Sequence, residues 1–257
     1  MTNNGKNNCI LRWIGNAGWQ IRFGAVSILI DPDLEKGSHK LPAGIISDKL
    51  TSEIISTADA ILVSHEHGDH FNLPTAKRLV KESDCRFILP ASCLYAAQEA
   101  DIPPKRIITA HHHRKIDLFG EGLTVTPVPA VHGHIHGSVY KRYNPADCGY
   151  LIQTESLNIF HPGDSLLLDE HFELPEIDIL FVSPTEHNTN IEQSLTLINT
   201  LKPKYILPQH RDTYVVTDEN RYWTSANDKK LYEALDNKDK EHFHTLKIGE
   251  KFIIKYL

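Results

Sequence analysis

The chain has 257 residues, 40% hydrophobic and 23% charged, with a formal net charge of -6. That length supports a sizeable core, and a single domain over residues 1–257 is the expectation. The acidic balance disfavours a long nucleic-acid footprint, which needs a basic face, and no apolar run reaches membrane-spanning length. The start, Met1-Thr2-Asn3-Asn4-Gly5-Lys6, is polar and lacks the apolar centre of a signal peptide. Cys9, Cys85, Cys93 and Cys148 show no C-x-x-C pairing. Reduced cysteines and a cytoplasmic setting are therefore expected.

Strands dominate the first third. Cys9 to Ile14, Trp19 to Phe23 and Val26 to Ile30 alternate or run apolar, with turns at Gly15 to Gly18, Gly24 and Asp31-Pro32. Asp33 to Leu50 reads as a long loop, either surface connection or substrate lid. Ala60-Ile61-Leu62-Val63 is a buried strand. Pro74 to Lys81 is helical, with Pro at the first turn. Arg86 to Leu89 is a strand, and Ala91 to Ala100 a helix. Short strands follow at Ile107-Ile108, Lys115 to Leu118 and Leu123 to Val128, then a hairpin over Leu151-Ile152 and Leu157 to Phe160. Ile177 to Val182 and Tyr205 to Leu207 are strands around the amphipathic helix Ile191 to Leu201. Lys229 to Leu235 is a short helix and Phe252 to Ile254 a closing strand. Two groups of strands interleaved with a few helices predict an α/β αββα sandwich of two mixed sheets.

The densest chemistry lies in Ser64-His65-Glu66-His67-Gly68-Asp69-His70, directly after a strand. His65 and His67, two apart, share a side in extended backbone, and Gly68 allows a turn that re-aims Asp69 and His70. The segment can thus supply ligands to two adjacent metal ions. It does not spell the helical H-E-x-x-H zinc motif, because Asp69 stands at the second His position. Other strands also run into His or Asp: His132, Asp164, His187 and His210 each follow an apolar run, and strand ends on one edge converge.

The run His65 to His70, with His132, Asp164 and His210 at later strand ends, resembles the metallo-β-lactamase-fold hydrolases from Trp13 to Ile254, and most nearly the ascorbate-6-phosphate lactonase-like branch. The resemblance implies that His65, His67 and His132 bind one metal, that Asp69, His70 and His210 bind a second, and that Asp164 bridges both with a water or hydroxide. Asp69 and Asp164 are the candidate catalytic residues. Zinc suits such ligands, with manganese or iron also accepted. The implied reaction is hydrolysis of a small ester, lactone or phosphodiester by the bridging hydroxide.

His134 competes with His132 for the third ligand position, because His132, His134 and His136 share one loop. His187 and Arg211 are candidates for an anionic substrate group, with surface placement the competing reading. His161 is a candidate orienting partner for Asp164. His111-His112-His113 reads as a solvated turn, and His39, His171, His242 and His244 as structural or exposed. A rival chemistry uses Ser165, because Gly163-Asp164-Ser165-Leu166 spells the G-D-S-L motif of a serine esterase family, with His242 as its base. Against it, Ser165 lies mid-chain, and the His65 to His70 cluster would have no role. A nucleic-acid-processing or non-enzymatic relative of the fold is the third reading.

Overall fold

In a computed structural model of the chain, residues 8–36, 40–120, 122–135 and 138–255 are described. The polar N-terminal stretch, His39 and His136 lie outside them. The chain folds as two units, one built from residues up to Ala110 with those from Leu246 onward, the other from His111–Thr245. The two mixed sheets expected over residues 1–257 fall one in each unit.

In the first unit, β1 (Asn8–Gly15), β2 (Gly18–Phe23) and β3 (Val26–Ile30) form an antiparallel meander. The first turn needs left-handed backbone, supplied by Gly15 at φ 105° and Asn16 at φ 48°. β4 (Ala60–Leu62), β5 (Arg86–Leu89) and β6 (Ile107–Thr109) add on in parallel from β3. The closing strand, Lys251–Lys255, pairs antiparallel with β1.

Helix α1 (Asp48–Ser56) begins inside the stretch expected to be loop. Ser47 caps it by accepting from Leu50 N, and Ile54 and Ile55 turn inward. Its polar first turn hides that apolar stripe from a reading by pattern. α2 (Leu73–Glu82) is capped by Asn72, which accepts from Thr75 N. α3 (Leu94–Glu99) follows a 3-10 turn over Ala91–Cys93. Leu29, Ile61, Phe87 and Leu89 pack with Ile54, Ile55 and Leu79 in one apolar cluster. Each such buried side chain stabilises by about 1.5–3 kcal/mol before chain entropy is counted.

The second unit orders its strands β12-β11-β10-β9-β8-β7. They are β7 (Ile116–Asp117), β8 (Thr124–Pro129), β9 (Cys148–Gln153), β10 (Asn158–His161), β11 (Ile179–Val182) and β12 (Tyr205–Pro208). β10, β11 and β12 are parallel neighbours. β8 is antiparallel to β9, and β9 to β10, so β8 runs the same way as β10. Four carboxyl ends therefore share one sheet edge.

α4 (Ile191–Leu201) lays Leu197, Ile198 and Leu201 into a cluster with Phe160, Leu180, Val182 and Ile206. Two further helices, α5 (Arg221–Thr224) and α7 (Asn237–Lys240), are too short to show a period in sequence; α6 (Asp228–Ala234) lies between them. Among the described residues no helix is long and apolar enough to cross a membrane. Cys9, Cys85, Cys93 and Cys148 are all free and buried, and burial pushes the Cys9 thiol up to about 12.

Candidate functional site

In the first unit, β3 and β4 run parallel and finish at the same edge, where β3 delivers Asp31 and β4 delivers Ser64 and His65. Asp31 is fully buried at φ 42°. A non-glycine residue there costs on the order of 1 kcal/mol, a strain characteristic of positioned functional groups. Its carboxylate accepts from Ser64 N and Ser64 Oγ, each at 2.7 Å, and lies 2.7 Å from His70 Nδ1. The His67 carbonyl accepts from His70 N at 2.9 Å and Phe71 N at 2.7 Å, and the Asn72 cap of α2 follows. Gly68 keeps an ordinary φ with open space where a Cβ would sit. These bonds make the turn, and not glycine's freedom as the sequence suggested.

Within that turn, His65 Nε2 stands 3.0 Å from His67 Nδ1. Asn16 Nδ2 donates to Asp69 Oδ2 at 2.9 Å, and His70 Nε2 is 3.6 Å from the same oxygen. All four local ligand candidates are thus gathered in one cluster.

In the second unit, the shared sheet edge delivers His132 after β8, Asp164 after β10, His187 after β11 and His210 after β12. Asp164 is the hub. His210 Nε2 is 2.9 Å from its Oδ1, His187 Nε2 is 2.7 Å from its Oδ2, and His132 Nε2 is 3.6 Å from its Oδ2. Asn188 Nδ2 donates to Oδ1 at 3.0 Å, while Asn188 Oδ1 is buried without a hydrogen-bond partner. His132, Asp164 and His187 each offer a ligand atom within 4.8 Å of the others.

The partners on the far side of each ring decide what those nitrogens carry. His132 Nδ1 lies 2.7 Å from Gly133 O, and His210 Nδ1 lies 3.0 Å from Trp223 O. A carbonyl only accepts, so both rings hold their proton on Nδ1 and present a lone pair from Nε2 when neutral. Those lone pairs face a carboxylate. His70 repeats the arrangement, with Nδ1 on Asp31 and Nε2 toward Asp69. Acceptors facing acceptors in buried surroundings are satisfied by a cation between them, and a ring N–H anchored on a carboxylate or carbonyl is the usual orientation of a metal-binding histidine. The donor set fits a divalent ion.

Asp31, Ser64, Asn16 and Asn188 were not among the candidate site residues read from the sequence. Asp31 closes a strand as a plain Asp-Pro turn, and its pairing with His70, 39 positions later, comes only from parallel β3 and β4. His187, expected among the converging strand ends and as a contact for an anionic substrate group, is 2% exposed, with Nε2 2.7 Å from Asp164 and Nδ1 2.9 Å from Thr185 Oγ1. Arg211, expected to meet the same group, is buried with Nη1 on Asp212 and Nε 3.8 Å from Asp228, so two carboxylates already balance its charge.

His134 is not among the residues grouped with Asp164 and stacks on Tyr140, with centroids 5.7 Å apart and planes at 17°. His161 is buried against Phe181 and takes Gly163 N on its Nδ1 at 3.2 Å, bracing the turn before Asp164. In the histidine triplet, His113 adopts φ 61° in an exposed turn while His112 lies 2.9 Å from Asp147 O. His171 is buried, and burial pulls it down to about 4.

Ser165 belongs to the backbone and not to a serine-esterase centre. Its hydroxyl accepts from Val131 N at 3.1 Å and donates to Leu166 O at 2.8 Å, while His242 is exposed.

Imidazoles and carboxylates presented at the strand ends of two mixed sheets define an α/β protein with metal-type ligand sets. The chain belongs to the family of the beta-lactamase superfamily domain, whose model matches residues 10–210. A relative from Carboxydothermus hydrogenoformans, described as a metal-dependent hydrolase, is 28% identical over 210 residues, 80% of this chain and 86% of the relative. One from Sulfurisphaera tokodaii, described likewise, is 26% identical over 234 residues, 88% of this chain and 94% of its own. The solved structure of Igni18, a metallo hydrolase from Ignicoccus hospitalis, aligns with a TM-score of 0.72 at 19% identity over 97% of this chain and 100% of that one. These likenesses show the metallo-β-lactamase fold, the α/β class expected from the sequence.

Proposed function

We propose that this chain is a metal-dependent hydrolase acting on a small ester, lactone or phosphodiester in the cytoplasm, as in the lactonase-like branch that its sequence resembles. In this reading His65, His67 and His132 hold one divalent ion, Asp69, His70 and His210 hold a second, and Asp164 serves both. Zinc is the first candidate, with manganese and iron next. Bound ions of this kind acidify a coordinated water to a pKa of about 7 and polarise the bond to be cleaved.

The protein's own groups do the rest. Asp31 holds the His70 ring by its Nδ1, and the Trp223 and Gly133 carbonyls hold His210 and His132. His187 and Asn188 fix the Asp164 carboxylate. Asp69, with a partly exposed side chain held by Asn16, takes the proton of the attacking water and returns it to the leaving oxygen.

One observation carries the reading: His132 and His210 both turn Nε2 toward Asp164, at 3.6 and 2.9 Å, while Nδ1 of each lies on a backbone carbonyl, the orientation of a metal-binding imidazole. Elemental analysis of the purified chain, with lactones, phosphodiesters and thioesters screened with and without chelator, tests it. Two equivalents of metal and chelator-sensitive turnover are expected. Metal-free protein with chelator-resistant turnover refutes it.

A further inference from the structure

Three part-exposed rings of the second unit stand beside the ligand imidazoles. His134 stacks on Tyr140 and lies 5.2 Å from the Tyr222 ring, Tyr140 lies 5.2 Å from the His132 ring, and Tyr222 meets His187 edge-on at 6.1 Å. Rings that only fill a core are covered, as Tyr150 and Phe160 are at 0% exposure in the same unit. His134, Tyr140 and Tyr222 stay half-buried next to a carboxylate that is 4% exposed.

Their placement is fixed by backbone. Tyr140 N donates to His132 O at 2.9 Å and His134 N to Ser138 O at 2.7 Å, which ties the first two rings to the ligand loop. Glu186 N donates to Tyr222 O at 3.1 Å, which ties the third to the segment bearing His187. A wall of backbone-anchored, half-buried rings favours flat, electron-delocalised groups, because offset stacking or edge-to-face contact adds to area burial.

We infer that Tyr140, Tyr222 and His134 recognise a planar, conjugated group attached to the bond that is cleaved, so that the substrate is an aromatic or unsaturated ester or lactone and not a saturated one. This deepens the hydrolase reading and rests on it. The residues act on specificity and position the substrate; the ligand sets remain the reacting centre.

Matched nitrophenyl esters of benzoic and cyclohexanecarboxylic acid test it, with each kcat/KM divided by the ester's rate in hydroxide alone. The metal-loaded chain is expected to favour the benzoyl ester by about fivefold, the size of one or two stacking contacts. The double variant Tyr140→Leu/Tyr222→Leu should bring that ratio within about twofold, mainly through KM and with metal content unchanged, while Tyr140→Phe/Tyr222→Phe keeps it. Should the double Leu variant not fold, each single Leu variant is expected to lower the ratio about twofold. Calorimetric binding of the free acids gives a readout independent of turnover. Preference for benzoate that disappears in the Leu variant, with neither ester cleaved, upholds the ring wall and refutes the hydrolase reading. A ratio near one in the unaltered chain, or an unchanged preference in the Leu variants, overturns the inference.

Discussion

Gly133 is the position where the smallest perturbation should have the largest effect on the Asp164 cluster. A Cβ built there would lie 2.2 Å from the His187 carbonyl oxygen, 2.7 Å from Leu166 Cδ2 and 3.0 Å from the His187 carbonyl carbon. Ordinary contact begins near 3.4 Å, so Gly133→Ala must open the gap by 3.4 − 2.2, or about 1.2 Å. The nearest obstacle is the His187 backbone, which, unlike the Leu166 side chain, cannot rotate away. His132 adjoins this residue and uses Gly133 O to hold its ring, while His187 owns the opposing carbonyl and one bond to Asp164. Strain of this kind costs about 1–3 kcal/mol in overpacked interiors, and a displacement of 1 Å in a reacting group costs about 100-fold in rate. Gly133→Ala should therefore lower Tm by several degrees and kcat/KM by about two orders of magnitude, with reduced metal content. Calorimetry, steady-state kinetics and elemental analysis read the three effects. Full metal content with activity within about threefold of the parent would show that the loop carrying His132 is not wedged against His187.

Asp31→Asn keeps the shape but presents the His70 ring with a weaker, neutral partner, and metal affinity should fall about 10–100-fold, measured by competition with a chromogenic chelator. His67→Ala should abolish turnover and lower metal content. Ser165→Ala should leave turnover within about threefold and cost about 1 kcal/mol of stability, because that hydroxyl serves Val131 N and Leu166 O; the reverse pattern in assay and elemental analysis would restore the serine mechanism. His171 is held neutral by burial, at about 4 against an ordinary 6.5. Its stabilising contribution is therefore complete above pH 6.5 and is lost as pH falls toward 4, because the unfolded chain takes up the proton first. The loss is about 2 kcal/mol at pH 5. Urea unfolding at pH 7.5 and 5 should show His171→Gln with a smaller difference than the parent by about that amount, and equal differences would refute the assignment.

Local chemistry was legible where consecutive residues carry it. His65 to His70 stand in one run behind an apolar strand, and α4 shows its period over eleven residues. Strand ends bearing His132, Asp164, His187 and His210 could be read for the same reason, since each follows an apolar run. What escaped depends on neighbours in space. His187 was legible as a strand end, but the polar run around it, Pro184-Thr185-Glu186-His187-Asn188-Thr189, looks like a solvated loop, yet Thr185, His187, Asn188 and Thr189 are buried. The run follows β11, a central strand flanked on both sides, and His187 Nε2, Asn188 Nδ2 and Thr189 O find partners within the unit on Asp164 and Ser194. Asp31 escaped because only parallel pairing of β3 and β4 discloses what its carboxylate accepts. The α1 boundary was hidden by its polar opening turn.

The common direction of β8, β10, β11 and β12 divides labour across their sheet. The reverse turn joining β9 to β10, Thr154 to Leu157, lies at the rim opposite the carboxyl end of β10, and Glu155 and Ser156 are exposed. Natural variation or an engineered tag can accumulate there without crossing any segment that carries His132, Asp164, His187 or His210. That rim is the natural attachment point for a fluorophore or a surface tether that must leave the chemistry alone.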